Sequence, residues 1–131
     1  MKALELMKHY LDEEGYKYKE SESSLAFRFE GHSFNYYKNN SEGQFFQIAT
    51  WYNDSIFGED PELTLKAANQ VNFELGVVKI IFDPNDNTIC SSWEMLVNDE
   101  TPYQQYFEII EHGIHFILKA VHQLFEKLET K

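Results

Sequence analysis

The sequence predicts an α+β domain of order α-β-β-β-α-β-β-α, a five-stranded antiparallel sheet packed by helices. Three observations predict it. Tyr103, Phe107, Ile110, Ile114, Ile117, Val121, Leu124 and Leu128 are spaced in alternating fours and threes, which winds one apolar seam along a helix over Pro102 to Leu128. Between Leu25 and Tyr37 the apolar period changes to two, the period of a strand. Asp60-Pro61-Glu62 spells a helix start between the two sets of strands, with an N-cap, a first-turn proline and an acid at the positive dipole end.

Lys2 to Glu14 reads as the first helix, with Leu4, Met7 and Leu11 on one face and Gly15 as its C-cap. Tyr16 to Glu20 reads as a short extended piece, and Ser21 to Ser24 as a polar turn. Leu25, Phe27 and Phe29 point one way and Ala26, Arg28 and Glu30 the other. Gly31-His32 is the expected tight connection, and Phe34 and Tyr36 resume the alternation, which makes a β-hairpin. Lys38 to Gly43 is the next turn. Phe45 to Tyr52 carries apolar groups on both sides: Phe45, Ala49 and Trp51 on one, Phe46, Ile48 and Tyr52 on the other. A strand apolar on both sides is expected to be central, or covered on its second face by a helix or another subunit.

The middle helix runs to Leu75, with Leu63, Ala67, Val71 and Leu75 as its apolar face and Gly76 as its stop. Asn69 and Asn72 share one of its sides. Mid-helix asparagine is a poor helix former, and hydrogen bonding to a neighbouring loop or strand end is the expected reason for the pair. Val77 to Phe82 is a β-branched strand, Asp83 to Thr88 a turn, and Ile89 to Val97 the fifth strand. Ile89, Trp93, Met95 and Val97 share one of its sides. Thr101 is the expected N-cap of the long helix, which spans about 40 Å at ~1.5 Å per residue.

Residues 1–131 read as one domain, with no repeat, low-complexity segment or linker. Asp and Glu total 22 against 11 Lys and Arg, for a net charge of −11. That charge repels phosphate backbones, so neither nucleic acid nor an anionic membrane surface is an expected partner. Cys90 is the only cysteine, which excludes an intrachain disulfide. No stretch approaches a membrane span, and charges interrupt the N-terminal apolar run, so a cytoplasmic location is expected.

Signals for chemistry are weak. Asp83, Asn85, Asn87 and Glu94 fit positions 1, 3, 5 and 12 of a calcium loop. Thr88 stands where that loop needs glycine, and the flanks read as strands, so a hairpin turn is expected. His112, His115 and His122 sit on the last helix without the Glu-x-x-His spacing of a dinuclear site. Glu108 before His112 and Glu111 before His115 read as helix-surface pairs. Cys90 lies in a strand with nothing local to activate it. No phosphate loop, nucleophile elbow or zinc motif occurs. The chain is therefore expected not to be an enzyme and to need no cofactor or metal.

The stretch Ala67-Ala68-Asn69-Gln70-Val71-Asn72, the strand Val77 to Phe82, the Asp/Asn turn and Glu94 in the next strand, taken with the element order, resemble the YbjN family. YbjN-type domains are similar in fold to the type III secretion chaperones. The resemblance implies a non-catalytic, chaperone-like homodimer that holds an extended segment of a protein partner, whose identity stays open. An alternative from another class is a small-ligand or enzyme domain with a pocket under the C-terminal helix, lined by Trp51, Trp93 and tyrosines.

One surface is marked on the long helix. With Ile114 at the centre of the buried face, Ile109, His112 and Phe116 fall about 140–160° away at ~100° per residue. Two large apolar side chains on the side opposite the seam make a patch, so these three residues are the expected partner or dimer contact.

Overall fold

The computed structural model describes residues 3–38 and 44–129. Residues 39–43 of the turn expected after the hairpin lie outside the described residues. The chain order is α1 (Ala3–Glu14), β1 (Tyr18–Glu20), β2 (Ser24–Phe29), β3 (His32–Tyr37), β4 (Phe45–Asn53), α2 (Ile56–Glu59), α3 (Pro61–Leu75), β5 (Lys79–Asp83), β6 (Thr88–Leu96) and α4 (Tyr103–Glu129). The strands form one antiparallel sheet in the order β1-β2-β3-β4-β6-β5.

The sheet has six strands, not five. The extended piece before the Ser21–Ser24 turn pairs with β2, Tyr18 opposite Phe27 and Glu20 opposite Leu25. Three residues are too few to show a period, which is why the alternation did not reveal it. The hairpin connection is Glu30-Gly31, not Gly31-His32, because Phe29 pairs with His32. Both turn residues take positive φ, 50° and 81°, as a two-residue hairpin turn requires. Four-residue α2 is the other unforeseen element.

Most of the core was foreseeable from periodicity. Inward-facing Leu25, Phe27, Phe29, Phe34, Tyr36, Phe46, Ile48, Ile80, Phe82, Ile89 and Trp93 join α1, α3 and α4 in one buried cluster. From α4 the buried residues are Tyr106, Ile110, Gly113, Ile114, Ile117, Ala120, Val121, Leu124 and Leu128. Gly113 is where α4 crosses Trp93: a Cβ there would stand 2.4 Å from the indole ring. The ring fills the place of the missing side chain. Ser91 on β6 donates from its hydroxyl to the Ile117 carbonyl at 3.1 Å, a buried polar tie between sheet and helix.

The middle helix begins and ends as its sequence dictates. The Asp60 carboxylate accepts from the Leu63 N–H at 3.2 Å, Pro61 follows, and Gly76 at φ 72° closes the helix.

Candidate protein-binding surface

Alternation along the strands puts the other half of their side chains on a face with no helical cover among the described residues. On β4 these are Phe45, Gln47, Ala49 and Trp51; on β6, Cys90, Ser92, Glu94 and Leu96; on β5, Lys79 and Ile81. Trp51 is 53% exposed, Ile81 50% and Leu96 76%. The register sets Trp51 opposite Cys90 and Cys90 opposite Ile81, one row across three strands, while Phe45 faces Leu96. β4 is thus central and apolar on both sides, but among the described residues neither a helix nor any other element covers its second face.

Small residues make this face shallow. Ala49, Cys90 and Ser92 are buried beneath their larger neighbours. Burial pushes the Cys90 thiol up to about 11, with Glu94 adding to the rise and Lys79 opposing it. A thiol so held is largely unionised near neutral pH and is a poor nucleophile. Polar ties cross the face, among them Gln47, whose amide donates to the Ser92 hydroxyl at 3.4 Å. The Trp51 indole N–H donates to the Tyr37 hydroxyl at 2.7 Å, and Lys79 pairs with Glu94 at 2.8 Å.

The edges of the sheet are managed separately. At the β5 edge the Asn72 amide acts as a substitute strand: it donates to the Ile80 carbonyl at 3.1 Å and accepts from the Ile80 N–H at 2.6 Å. That use of both backbone groups blocks another strand from pairing there. The sequence reading of a hydrogen-bonding role holds for Asn72; Asn69 is exposed. At the opposite edge β1 is short, and Lys38 and Lys8 hold the Glu20 carboxyl below its usual range through hydrogen bonds.

The α4 residues singled out by sequence are not alike. Ile109 is 47% exposed and His112 is exposed, with Glu108 at 4.0 Å. Phe116 is only partly exposed and packs against the core. Lys119 stands 6.0 Å from its ring centre. His115 meets the ring of Phe29 edge-on rather than pairing with Glu111, and His122 pairs with Glu126 at 2.6 Å. Sequence reasoning missed a more prominent apolar residue. Phe73, on the outer side of α3, is 89% exposed, with Leu65 and Val77 also half exposed. Its position off the Leu63-Ala67-Val71 seam was the available signal.

Two other expectations meet the structure. Asp83 to Thr88 is the turn of the β5–β6 hairpin, with Asn87 at φ 57° and the Asn85 N–H bonded to the Asp83 carboxylate at 3.0 Å. The pocket imagined under the C-terminal helix does not form from the residues named for it. Trp51 and Trp93 are on opposite faces of the sheet, and Trp93, 8% exposed, lies against Gly113. A depression of about 340 Å³ does flank α4, lined by His32, Tyr52, Leu118, Val121, His122 and Phe125.

Comparison with known proteins gives the fold. No family model and no curated protein matches this sequence. Among solved structures, a protein from Methanothermobacter thermautotrophicus is 17% identical with a TM-score of 0.65, over 96% of this chain and 99% of that one. YbjN from E. coli is 14% identical with a TM-score of 0.68, over 97% and 93%. The Yersinia pestis type III secretion chaperone SycH, solved with a stable fragment of YscM2, is 13% identical with a TM-score of 0.58, over 88% and 97%. The fold is therefore YbjN-like and secretion-chaperone-like, as the sequence resemblance implied.

Proposed function

We propose that this chain, with the fold of YbjN and of a secretion chaperone, is a non-catalytic protein-binding module that works as a homodimer. The observation that supports it most is the open sheet face, where Trp51, Ile81 and Leu96 stand half exposed or more on a rigid floor. Trp51 and Ile81 flank Cys90 in one row, and Leu96 stands with Phe45 at the far end of the same two central strands; large apolar side chains left to water on one sheet face mark a candidate interaction surface. SycH, a protein of this fold, was solved holding a fragment of another protein.

The partner segment is placed on the open face and the second subunit on the helical side. Ile109, His112 and Phe116 on α4 form one candidate dimer contact. Phe73 and Leu65 on α3, with Val77 just beyond its C-cap, form the other, and Phe73 is the stronger anchor because it is almost wholly exposed.

Two measurements test the reading. Light scattering is expected to give twice the 15.5 kDa chain mass; a single chain mass at high concentration overturns the dimer. A partner captured from the native host is then purified and titrated with the wild type and with Ile81→Ser/Leu96→Ser. The double variant is expected to bind at least about tenfold more weakly, as loss of buried anchors does. Equal affinity overturns the open-face site.

A further inference from the structure

The apolar row fills only half of the open face. The other half, on β1, β2 and β3, is lined by outward-facing Lys17, Lys19, Ala26, Arg28, Ser33 and Asn35, around a trough of about 550 Å³. The register explains the hollow. Lys19 is opposite Ala26 and Ala26 opposite Asn35, while Arg28 is opposite Ser33. Short side chains form the floor, and three long cationic ones stand above it. Arg28 is steadied by hydrogen bonds to the Ser33 hydroxyl and the Gly31 carbonyl.

The charge of this trough runs against the rest of the molecule. The chain carries −11 overall. Lys8 and Lys38 pair with Glu20, Lys79 with Glu94 and Lys127 with Glu74. Lys17, Lys19 and Arg28, like Lys66 and Lys119 elsewhere, have no carboxylate at ion-pair distance among the described residues, but these three lie together, and none of the six side chains facing the trough is acidic. Neighbouring strands lie ~4.8 Å apart and alternate residues about 7 Å, so the three cations cluster within roughly one Debye length at 0.1 M salt. An acidic chain has thus kept one patch of its surface free of its own carboxylates.

We infer that the β1–β3 half of the open face receives an acidic stretch of the partner polypeptide, whose apolar residues continue onto the Trp51–Cys90–Ile81 row; this rests on the protein-binding reading above. The trough is broad, floored by three strands and continuous with the apolar half through the Tyr37–Trp51 bond, which suits an extended segment crossing the sheet. A few carboxylates match three cations. A long phosphate polymer does not, because the remaining negative charge repels it.

The test uses fluorescence anisotropy at low salt with three labelled probes: a peptide of glutamates followed by alternating leucines and serines, the same peptide with glutamines for glutamates, and a single-stranded DNA of similar length. The acidic peptide is expected to bind about tenfold more tightly than the glutamine peptide, the sum of several exposed ion pairs. Lys17→Glu/Lys19→Glu is expected to erase that advantage without moving the thermal midpoint, since both side chains are exposed. Equal binding of the two peptides, an advantage that survives the double variant, or no binding of either peptide overturns the inference. So does DNA binding as tight as that of the acidic peptide and lost in the same variant, which would mark a site for polyanions. Failure of the protein-binding reading is seen separately, as equal affinity of the captured partner for wild type and Ile81→Ser/Leu96→Ser.

Discussion

Along β2 the inward residues Leu25, Phe27 and Phe29 are buried, while their outward neighbours Ala26 and Arg28 are exposed. Along β4 the inward residues Phe46 and Ile48 are fully buried, yet outward Trp51 is half exposed. The two faces share one backbone and obey different rules. The inward face is mainly aromatic and aliphatic, because three helices pack on it, with buried Thr50 and Ser91 as its polar members. The outward face is cationic at one end and apolar at the other, a pattern that packing of this chain alone does not require. Singly exposed apolar residues are ordinary on protein surfaces; on the function proposed above, several on one sheet face are where a partner would sit.

The contrast can be broken most severely with alkali. Burial pushes the Tyr36 hydroxyl up to about 12 and raises that of Tyr10 further, with Glu111 adding to the effect on Tyr10. Cys90 is raised on the other face. Each group is neutral when protonated. Between its ordinary value and its raised one, the unfolded state therefore binds fewer protons than the native state, and stability falls as pH rises. Their stabilising contribution is intact below pH 9 and is lost progressively above it. Circular dichroism is expected to show unfolding between about pH 10 and 12; a fold stable beyond that range would mean that the inward hydroxyls are hydrated.

Ile48→Ala, at the centre of the inward face, is expected to cost about 2–5 kcal/mol in urea unfolding, since its side chain is wholly buried. Asn72→Ala removes both hydrogen bonds to Ile80 and leaves partly buried backbone groups unpaired, at about 1–3 kcal/mol. It also opens the β5 edge, so concentration-dependent association should appear alongside the loss. A variant that stays dispersed would show that something else guards the edge.

The sequence made the inward face legible because packing leaves a period. Twos in the strands and threes and fours in α4 are direct consequences of burial on one side. Asp60, Pro61 and Gly76 were equally readable, since caps are local chemistry. Three-residue β1 and four-residue α2 were not, because a period needs more than one repeat. The open face was half legible: Phe45 to Tyr52 showed apolar residues on both sides, but which face would stay uncovered depended on where α1, α3 and α4 settled. Nothing in the sequence separates Trp51 from Trp93 either, since parity within a strand does not say how two strands align. Lys17, Lys19 and Arg28 are separated in the sequence, and only the β1–β2 pairing makes them neighbours.

The smallest expected effect is the most discriminating. Leu96 is 76% exposed and Ile81 50% exposed, both on the face without helical cover among the described residues. Leu96 lies at the end of β6 opposite Phe45, and Ile81 lies on edge strand β5. Replacing both with Ser removes little buried area, so the unfolding free energy should change by no more than about 0.5 kcal/mol, the usual range for surface positions. Serine has a somewhat lower strand preference than either residue, which sets the sign as a slight loss. The protein alone should therefore barely register a change that, at inward-facing positions, would cost about 2–5 kcal/mol per side chain. Denaturant unfolding at two protein concentrations separates the possibilities. A small loss independent of concentration fits a face kept for a partner. A loss of several kcal/mol at both concentrations would mean that these side chains belong to the core. A loss that grows on dilution would place the second subunit, rather than a client, on the open face.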